Sequence, residues 1–259
     1  MSDLTLQVPQ ALRRGKLRWN EQRSVASGFE LLKLMATSLG HQDLAQASVL
    51  DMGCGCKFTQ AILDRGLPVG QYTGLDVYAD MIEFLREEVS DPRFAFHHVN
   101  IHNAMYNTGG EPLSESTALP VAEGSFDIVC GFSLFTHVAP HDYVNLLKVF
   151  RRYVKPDGHL FFSLFVNEET PGGFGRVDQF KRAMLQAERA RLEQHEKGFE
   201  KIHAEGIPDF LDAIPERPLQ VAMYSREHAL ELVEGTGWRT ESLNDPLEHV
   251  QHYVICSPV

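Results

Sequence analysis

The sequence predicts an α/β protein built on one mostly parallel sheet with helices on both faces. Three observations lead there. Short apolar runs alternate with stretches of helical periodicity from about residue 45 to 166. The first run, Ser48 to Asp51, opens directly into a turn carrying Gly53 and Gly55. The second, Tyr72 to Asp76, also ends on a carboxylate, and the two acids stand 25 residues apart, room for a strand, a turn, a helix and the next strand. Parallel neighbours joined in this way need crossover connections, which place helices over the sheet.

Each element follows from its own pattern. Phe29, Leu32, Met35 and Ala36 fall on one face of a helix over residues 21–39, which Gly40 stops. After strand one a helix runs from about Phe58 to Arg65 and ends at Gly66. Strand two is followed by a helix from Ala79 to Val89 and by strand three, Phe94–Val99. Residues 102–120, rich in Asn, Gly, Ser and Pro, read as a long loop, the kind that often carries function. Strand four is Phe126–Phe132 and a helix covers Pro140–Tyr153. Pro156-Asp157-Gly158 turns the chain into strand five, Leu160–Phe165. A helix from Ser225, its N-cap, to Glu234 is followed by two strands close in sequence, Trp238–Leu243 and His249–Cys256.

The Gly-rich turn and the carboxylate at the tip of strand two suit an adenosine-type cofactor, because glycines let backbone approach the ligand and a carboxylate can accept both ribose hydroxyls. A dinucleotide site would read G-x-G-x-x-G, but Gly53-Cys54-Gly55 continues as Cys56-Lys57-Phe58, which disfavours a nicotinamide oxidoreductase. Asp51, just before the turn, suits a sulfonium or ammonium cation better than a pyrophosphate.

The run Val49 to Gly55 resembles motif I of the class I S-adenosylmethionine (SAM)-dependent methyltransferases, and Gly74-Leu75-Asp76 resembles their acidic ribose motif. Ser125-Phe126-Asp127-Ile128-Val129 and Phe150 to Phe161 are similar to the family's fourth strand and the helix–turn–strand after it. The resemblance implies a Rossmann-like seven-stranded sheet closed by a C-terminal antiparallel hairpin, and SAM as cofactor. It implies cofactor contacts from Asp51, Gly53, Cys54, Gly55 and Lys57 in the first turn, Asp76 and Val77 after strand two, Asn100 and Ile101 after strand three, and Ser133 after strand four. Two positions depart from the pattern. Lys57 replaces the last glycine of motif I, and Asn100 replaces an aspartate that accepts from the adenine amine.

The organisation expected is a single methyltransferase domain: an N-terminal helical extension (1–44), the SAM-binding core (45–166), a helical cap insertion (167–224) and the C-terminal helix and hairpin (225–259). The insertion carries Phe174, Phe180, Met184, Phe199 and Phe210, and it reads either as a lid over the pocket or as a brace or homodimer contact.

With 259 residues and 43% apolar content the chain can bury one substantial core. A net charge of −11 argues against a nucleic-acid partner, Arg13, Arg14, Lys16, Arg18 and Arg23 being the one basic cluster. The four cysteines form neither a disulfide framework nor a zinc pattern, and no metal site is expected. No signal peptide or membrane-length apolar run is read, so a cytoplasmic protein with no membrane partner is expected.

Methyl transfer to a hydroxyl needs alignment and removal of a proton. His137, after strand four, is the candidate general base, since imidazole titrates near neutrality. Tyr106, in the loop after strand three, is the second catalytic candidate. The acceptor expected is a small molecule methylated on a hydroxyl oxygen. A non-catalytic partner protein of the same fold, or methylation of RNA or protein, are the alternatives.

Overall fold

The structure, a computed structural model, describes residues 5–14, 19–170, 173, 175–179, 209–214, 217–246 and 251–259. The strands are β1 (Leu44–Met52), β2 (Val69–Asp76), β3 (Phe94–His98), β4 (Phe126–Gly131), β5 (Val154–Val166), β6 (Phe210–Asp212), β7 (Ala222–Tyr224), β8 (Trp238–Asn244) and β9 (His252–Pro258). The helices are α1 (Glu21–Ser38), α2 (Lys57–Arg65), α3 (Ala79–Glu88), α4 (Pro140–Tyr153) and α5 (Arg226–Glu231). The strand order is β3-β2-β1-β4-β5-β7-β6, with β9 antiparallel on β5 and β8 antiparallel on β9. Pairs among β1 to β5 are parallel. The order therefore reverses at β1, between β2 and β4, the place where open α/β sheets hold ligands beyond their carboxyl ends.

Alternation along the strands builds two cores. Leu50, Met52, Val129 and Phe162 face one side and pack with Tyr143, Leu146 and Phe150 of α4 and Ala229 of α5. Val49, Ile128, Cys130 and Phe161 face the other and pack with Leu32, Phe58 and Met81 of α1, α2 and α3. Residues 5–14 extend the second core: Leu6 and Val8 are buried, and Glu21 of α1 accepts from the Val8 N–H and from Gln60 Nε2 of α2. The stop expected at Gly40 has a defined form. Gly40 is left-handed (φ 74°), its N–H donates to Thr37 O, and the His41 N–H donates to Ala36 O, a Schellman closure.

Three expectations need correction. Pro156-Asp157-Gly158 is not a separate turn: β5 begins at Val154, and the register between Phe126↔Val154 and Ile128↔His159 shifts, so the extra residues bulge out of one long strand. The helix expected over 225–234 ends at Glu231, although Ser225 caps it as foreseen, accepting from the His228 N–H. The sheet has nine strands rather than seven, because the end of the 167–224 segment forms the β6–β7 hairpin. The β5 strand is long enough to pair with β9 through residues 160–164 and with β7 through Phe165 and Val166. Phe210, one of the insertion's aromatics, packs on Tyr224 with ring centroids 5.3 Å apart. Most of the expected cap helix, including Phe180 and Met184, and also Phe174 and Phe199, lies outside the described residues. Among the described residues no helix is long and apolar enough to cross a membrane.

Candidate active site

The carboxyl ends of β1, β2 and β4 and the loop after β3 converge on one open cleft. Met52, Gly53, Val77, Ile101, His102, Leu134 and His137 line it, together with Asp142 and Leu146 of α4 and Pro218 and Leu219 before β7. Counting the open solvent at its mouth, its empty volume is about 760 Å³.

The first turn is left-handed at Gly53 (φ 76°) and Gly55 (φ 46°), conformations open to glycine at little cost. Asp76 organises the turn. Its Oδ2 accepts the Gly55 N–H at 2.8 Å and its Oδ1 accepts the Tyr78 N–H at 2.9 Å. The Val77 N–H also acts on the carboxylate, and since a carboxylate has about four acceptor positions, capacity remains for a ligand. Burial raises the Asp76 pKa, and the backbone donors, Gly55 first, pull it back.

Asp51 has a different place from the one its sequence position implies. It is buried on the α1–α3 side of the sheet, away from the cleft lining, where Tyr72 Oη donates to Oδ2 at 2.6 Å and Cys130 Sγ donates to Oδ1 at 3.6 Å. Burial pushes its carboxyl up to about 7, partly offset by those two donors. Cys54 is likewise buried, and Gly74 makes room for it: a Cβ at Gly74 would lie 2.8 Å from Cys54 Sγ. Neither side chain faces the cleft.

The pH dependence of stability follows from Asp51. The unfolded chain gives up this proton near 3.8, while the folded chain holds it to about 7. The stability it confers is complete below about pH 4 and lost as pH rises to 7, a difference of roughly 4 kcal/mol. Asp51→Asn cannot titrate. Denaturant unfolding from pH 4 to 8 should therefore show wild type losing stability relative to the variant, and a constant difference would assign Asp51 an ordinary pKa.

Lys57 is the first residue of α2 with ordinary negative φ, so no left-handed lysine is needed. Its stem packs against α1, where a Cβ at Gly28 would lie 2.8 Å from Lys57 Cγ. Its ammonium makes no ion pair among the described residues, and burial lowers its pKa.

After β3, Val77 and Ile101 line the cleft, but Asn100 is exposed and outside the lining. Asn100 Oδ1 accepts from Asn107 Nδ2 at 3.2 Å, and Asn107 Nδ2 also donates to Ile101 O. Asn103 Oδ1 accepts from the Met105 and Tyr106 N–H groups. These bonds fix the start of the long loop as a stapled turn. Tyr106 stands at the rim, its ring centroid 6.3 Å from that of Tyr78, and does not line the cleft.

After β4, Ser133 is left-handed (φ 57°), a conformation rare without glycine and found where surroundings hold it. Its N–H donates to Ser163 Oγ, its Oγ accepts from Gln251 Nε2, and its carbonyl accepts from Thr136 Oγ1. This network fixes the next turn, which brings His137 to the cleft. His137 Nδ1 lies 3.2 Å from Leu219 O. A carbonyl only accepts, so Nδ1 carries the hydrogen and Nε2 the lone pair. Burial lowers the His137 pKa, and the Leu219 and Gln220 carbonyls pull it back. Leu219 is itself left-handed (φ 59°), with its N–H bound to Asp212 Oδ2.

Sequence reasoning missed Leu113, Asp142, Leu146 and Leu219 as cleft residues. Asp142 carried a readable signal, an acid in the first turn of the helix after strand four. Glu168, Asp245 and His252 present ligand atoms within 4.8 Å of one another. The Arg226 guanidinium already bridges Glu168 and Asp245, so the cluster has its own cation.

A fit of the site to SAM rests on what the structure leaves available. Asp76 retains acceptor capacity beside a glycine turn that admits close approach. Ile101 is buried and lines the cleft, and its N–H makes no backbone hydrogen bond among the described residues, leaving a backbone donor for a ligand.

Comparison with known proteins agrees with this geometry. Residues 50–162 match the methyltransferase domain family. A demethylmenaquinone methyltransferase of Listeria monocytogenes is 31% identical over 133 residues, 51% of this chain and 47% of the relative. The chain thus spans about half the length of that curated relative through the matched part. Among solved structures, the PH0226 protein from Pyrococcus horikoshii superposes with a TM-score of 0.53 at 16% identity, covering 93% of this chain and 92% of that one. The glycopeptide N-methyltransferase MtfA, solved with S-adenosyl-L-homocysteine, gives a TM-score of 0.55 at 14% identity over 90% of each chain. At these identities the two structures establish a shared fold.

Proposed function

The chain belongs to the methyltransferase-domain family through residues 50–162 and has the class I, SAM-dependent fold, and on that premise we propose that it methylates a small-molecule acceptor on a hydroxyl oxygen. SAM, when bound, supplies an electrophilic sulfonium methyl group. Gly53 and Gly55 admit the cofactor backbone, Asp76 accepts the ribose hydroxyls, Val77 and Ile101 wall the adenine, and Lys57 takes the methionine carboxylate. Ser133 and its network hold the turn that aims His137. His137 Nε2 would take the proton that the acceptor hydroxyl gives up as its oxygen gains the methyl group and the methyl–sulfur bond breaks, leaving imidazolium and the neutral thioether S-adenosyl-L-homocysteine.

One observation carries this reading: His137 lines the same cleft as Gly53 and Val77, with its Nδ1 held by Leu219 O. A small acceptor is supported by the net charge of −11 and by the Listeria relative, whose name specifies demethylmenaquinone. The test incubates the purified chain with methyl-labelled SAM and a panel of phenols, alcohols and amines, then a metabolite extract. Label recovered as a methyl ether is expected. Label recovered on carbon or nitrogen would overturn the hydroxyl assignment, and SAM binding without transfer to anything would favour a partner-protein role.

A further inference from the structure

The adenine-reading position of this chain is vacated by its own sequence. Asn100 stands where the resemblance implies an acceptor for the adenine amine, yet its side chain is exposed, lies outside the cleft lining, and its oxygen is bonded to Asn107. The backbone around it is also committed, the Asn100 carbonyl accepting the Glu111 N–H at 2.8 Å. Asn100 therefore serves as a staple of the 100–107 turn.

Another acceptor lines the same cleft as Ile101 and His102. Asp142 is the one carboxylate among the cleft's described lining residues, which are otherwise mostly apolar. It sits in the first turn of α4, whose N-cap, Ala139, offers no side-chain cap, and Asp142 does not supply one. No hydrogen bond or ion pair to its carboxylate forms among the described residues. The groups packed around it do not satisfy it. Tyr224 Oη spends its hydrogen on Val138 O. His141 Nε2 is engaged with Asn145, and His102 Nδ1 with Thr108 O. Burial raises the Asp142 pKa, with His141 and His102 pulling the other way. A half-buried carboxylate with no donor among the described residues, lining the same cleft as Val77 and Ile101, is suited to an N–H donor.

We propose that Asp142, rather than Asn100, accepts a hydrogen from the exocyclic amine of adenine and is the residue that makes this chain specific for an adenosine cofactor. The proposal rests on the SAM reading and goes beyond it by naming the specificity residue. Geometry permits it because α4 begins directly after the turn that carries Leu134 and His137, so one segment supplies both the adenine reader and the proton acceptor. Replacing the amine by a carbonyl would set oxygen against the carboxylate.

The test needs no acceptor. Isothermal calorimetry compares S-adenosyl-L-homocysteine with S-inosyl-L-homocysteine, in which a carbonyl replaces the adenine amine. Wild type should prefer the adenosine compound by about 10- to 100-fold, the worth of one hydrogen bond to a charged group. Asp142→Ala should weaken the adenosine compound about tenfold and reduce the preference to within about threefold, while Asn100→Ala keeps it. Asp142→Asn, which conserves size and an acceptor, controls for folding, with thermal melts on every variant, and should retain part of the preference. A preference intact in Asp142→Ala, or lost in Asn100→Ala, overturns the proposal. Equal binding of both compounds by wild type overturns it while leaving the SAM reading standing, and binding of neither removes the SAM reading itself.

Discussion

Asp76→Ala should bind S-adenosyl-L-homocysteine on the order of 100-fold more weakly than wild type. Two hydroxyl-to-carboxylate bonds are at stake, each about 1.5–3 kcal/mol when charge-assisted, and 1.4 kcal/mol is a factor of ten. Water recovers part of the loss, which sets the figure at the lower end. The carboxylate is pre-positioned, because the Gly55 and Tyr78 N–H groups already hold one lone pair of each oxygen. The substitution also frees those two donors and loosens the glycine turn, so the melting temperature should fall modestly. Asp76→Asn, keeping one acceptor oxygen, should lose about tenfold. The pH dependence has a definite sign: the ionised carboxylate is the acceptor and its pKa is raised, so affinity should weaken as pH falls, beginning above the ordinary carboxylate range. Calorimetry that found unchanged affinity in a folded Asp76→Ala protein would remove Asp76 from the ribose role.

What the sequence made legible, and what it did not, divides by the range of the interactions involved. Strand tips and glycine turns are local. Gly53, Gly55 and Asp76 could be placed because left-handed backbone and an acid at a strand end leave short-range signatures. Asp51 shows where that logic stops. Its position in the motif is readable, but its direction depends on strand pleat, which turns it under the sheet toward Tyr72, a residue on another strand. Asn100 failed for a related reason: whether it faces ligand or loop depends on Asn107, seven residues on, inside a stretch with no periodicity. The β6–β7 hairpin was hidden because its strands are three residues each, too short to show alternation. Leu219 was out of reach because a left-handed leucine runs against its own propensity and is held by Asp212 across a turn.

The geometry at Leu219 also sets the second large effect, in catalysis. His137→Ala should lower the rate of methyl transfer to a hydroxyl acceptor by about 10²–10⁴-fold, the usual worth of a positioned general base. Affinity for S-adenosyl-L-homocysteine should change little, because the imidazole acts on the acceptor's proton. His137 also bonds to Leu219 O, so a variant could lose rate through displacement of that segment alone. The pH profile separates the two causes. The wild-type rate should fall on the acid side as the imidazole takes up a proton, and burial places that limb below 6.5. His137→Gln, whose amide can still donate to Leu219 O, should preserve the segment yet lose both the rate and the acid limb. Recovery of wild-type rate in His137→Gln would mean that the ring only braces Leu219. The profile is measured at saturating SAM, so that protonation of Asp76 does not enter, with the acceptor identified by the labelled-methyl screen. A rate loss under threefold in His137→Ala would leave deprotonation to solvent, as expected for an acceptor acidic enough to ionise unaided.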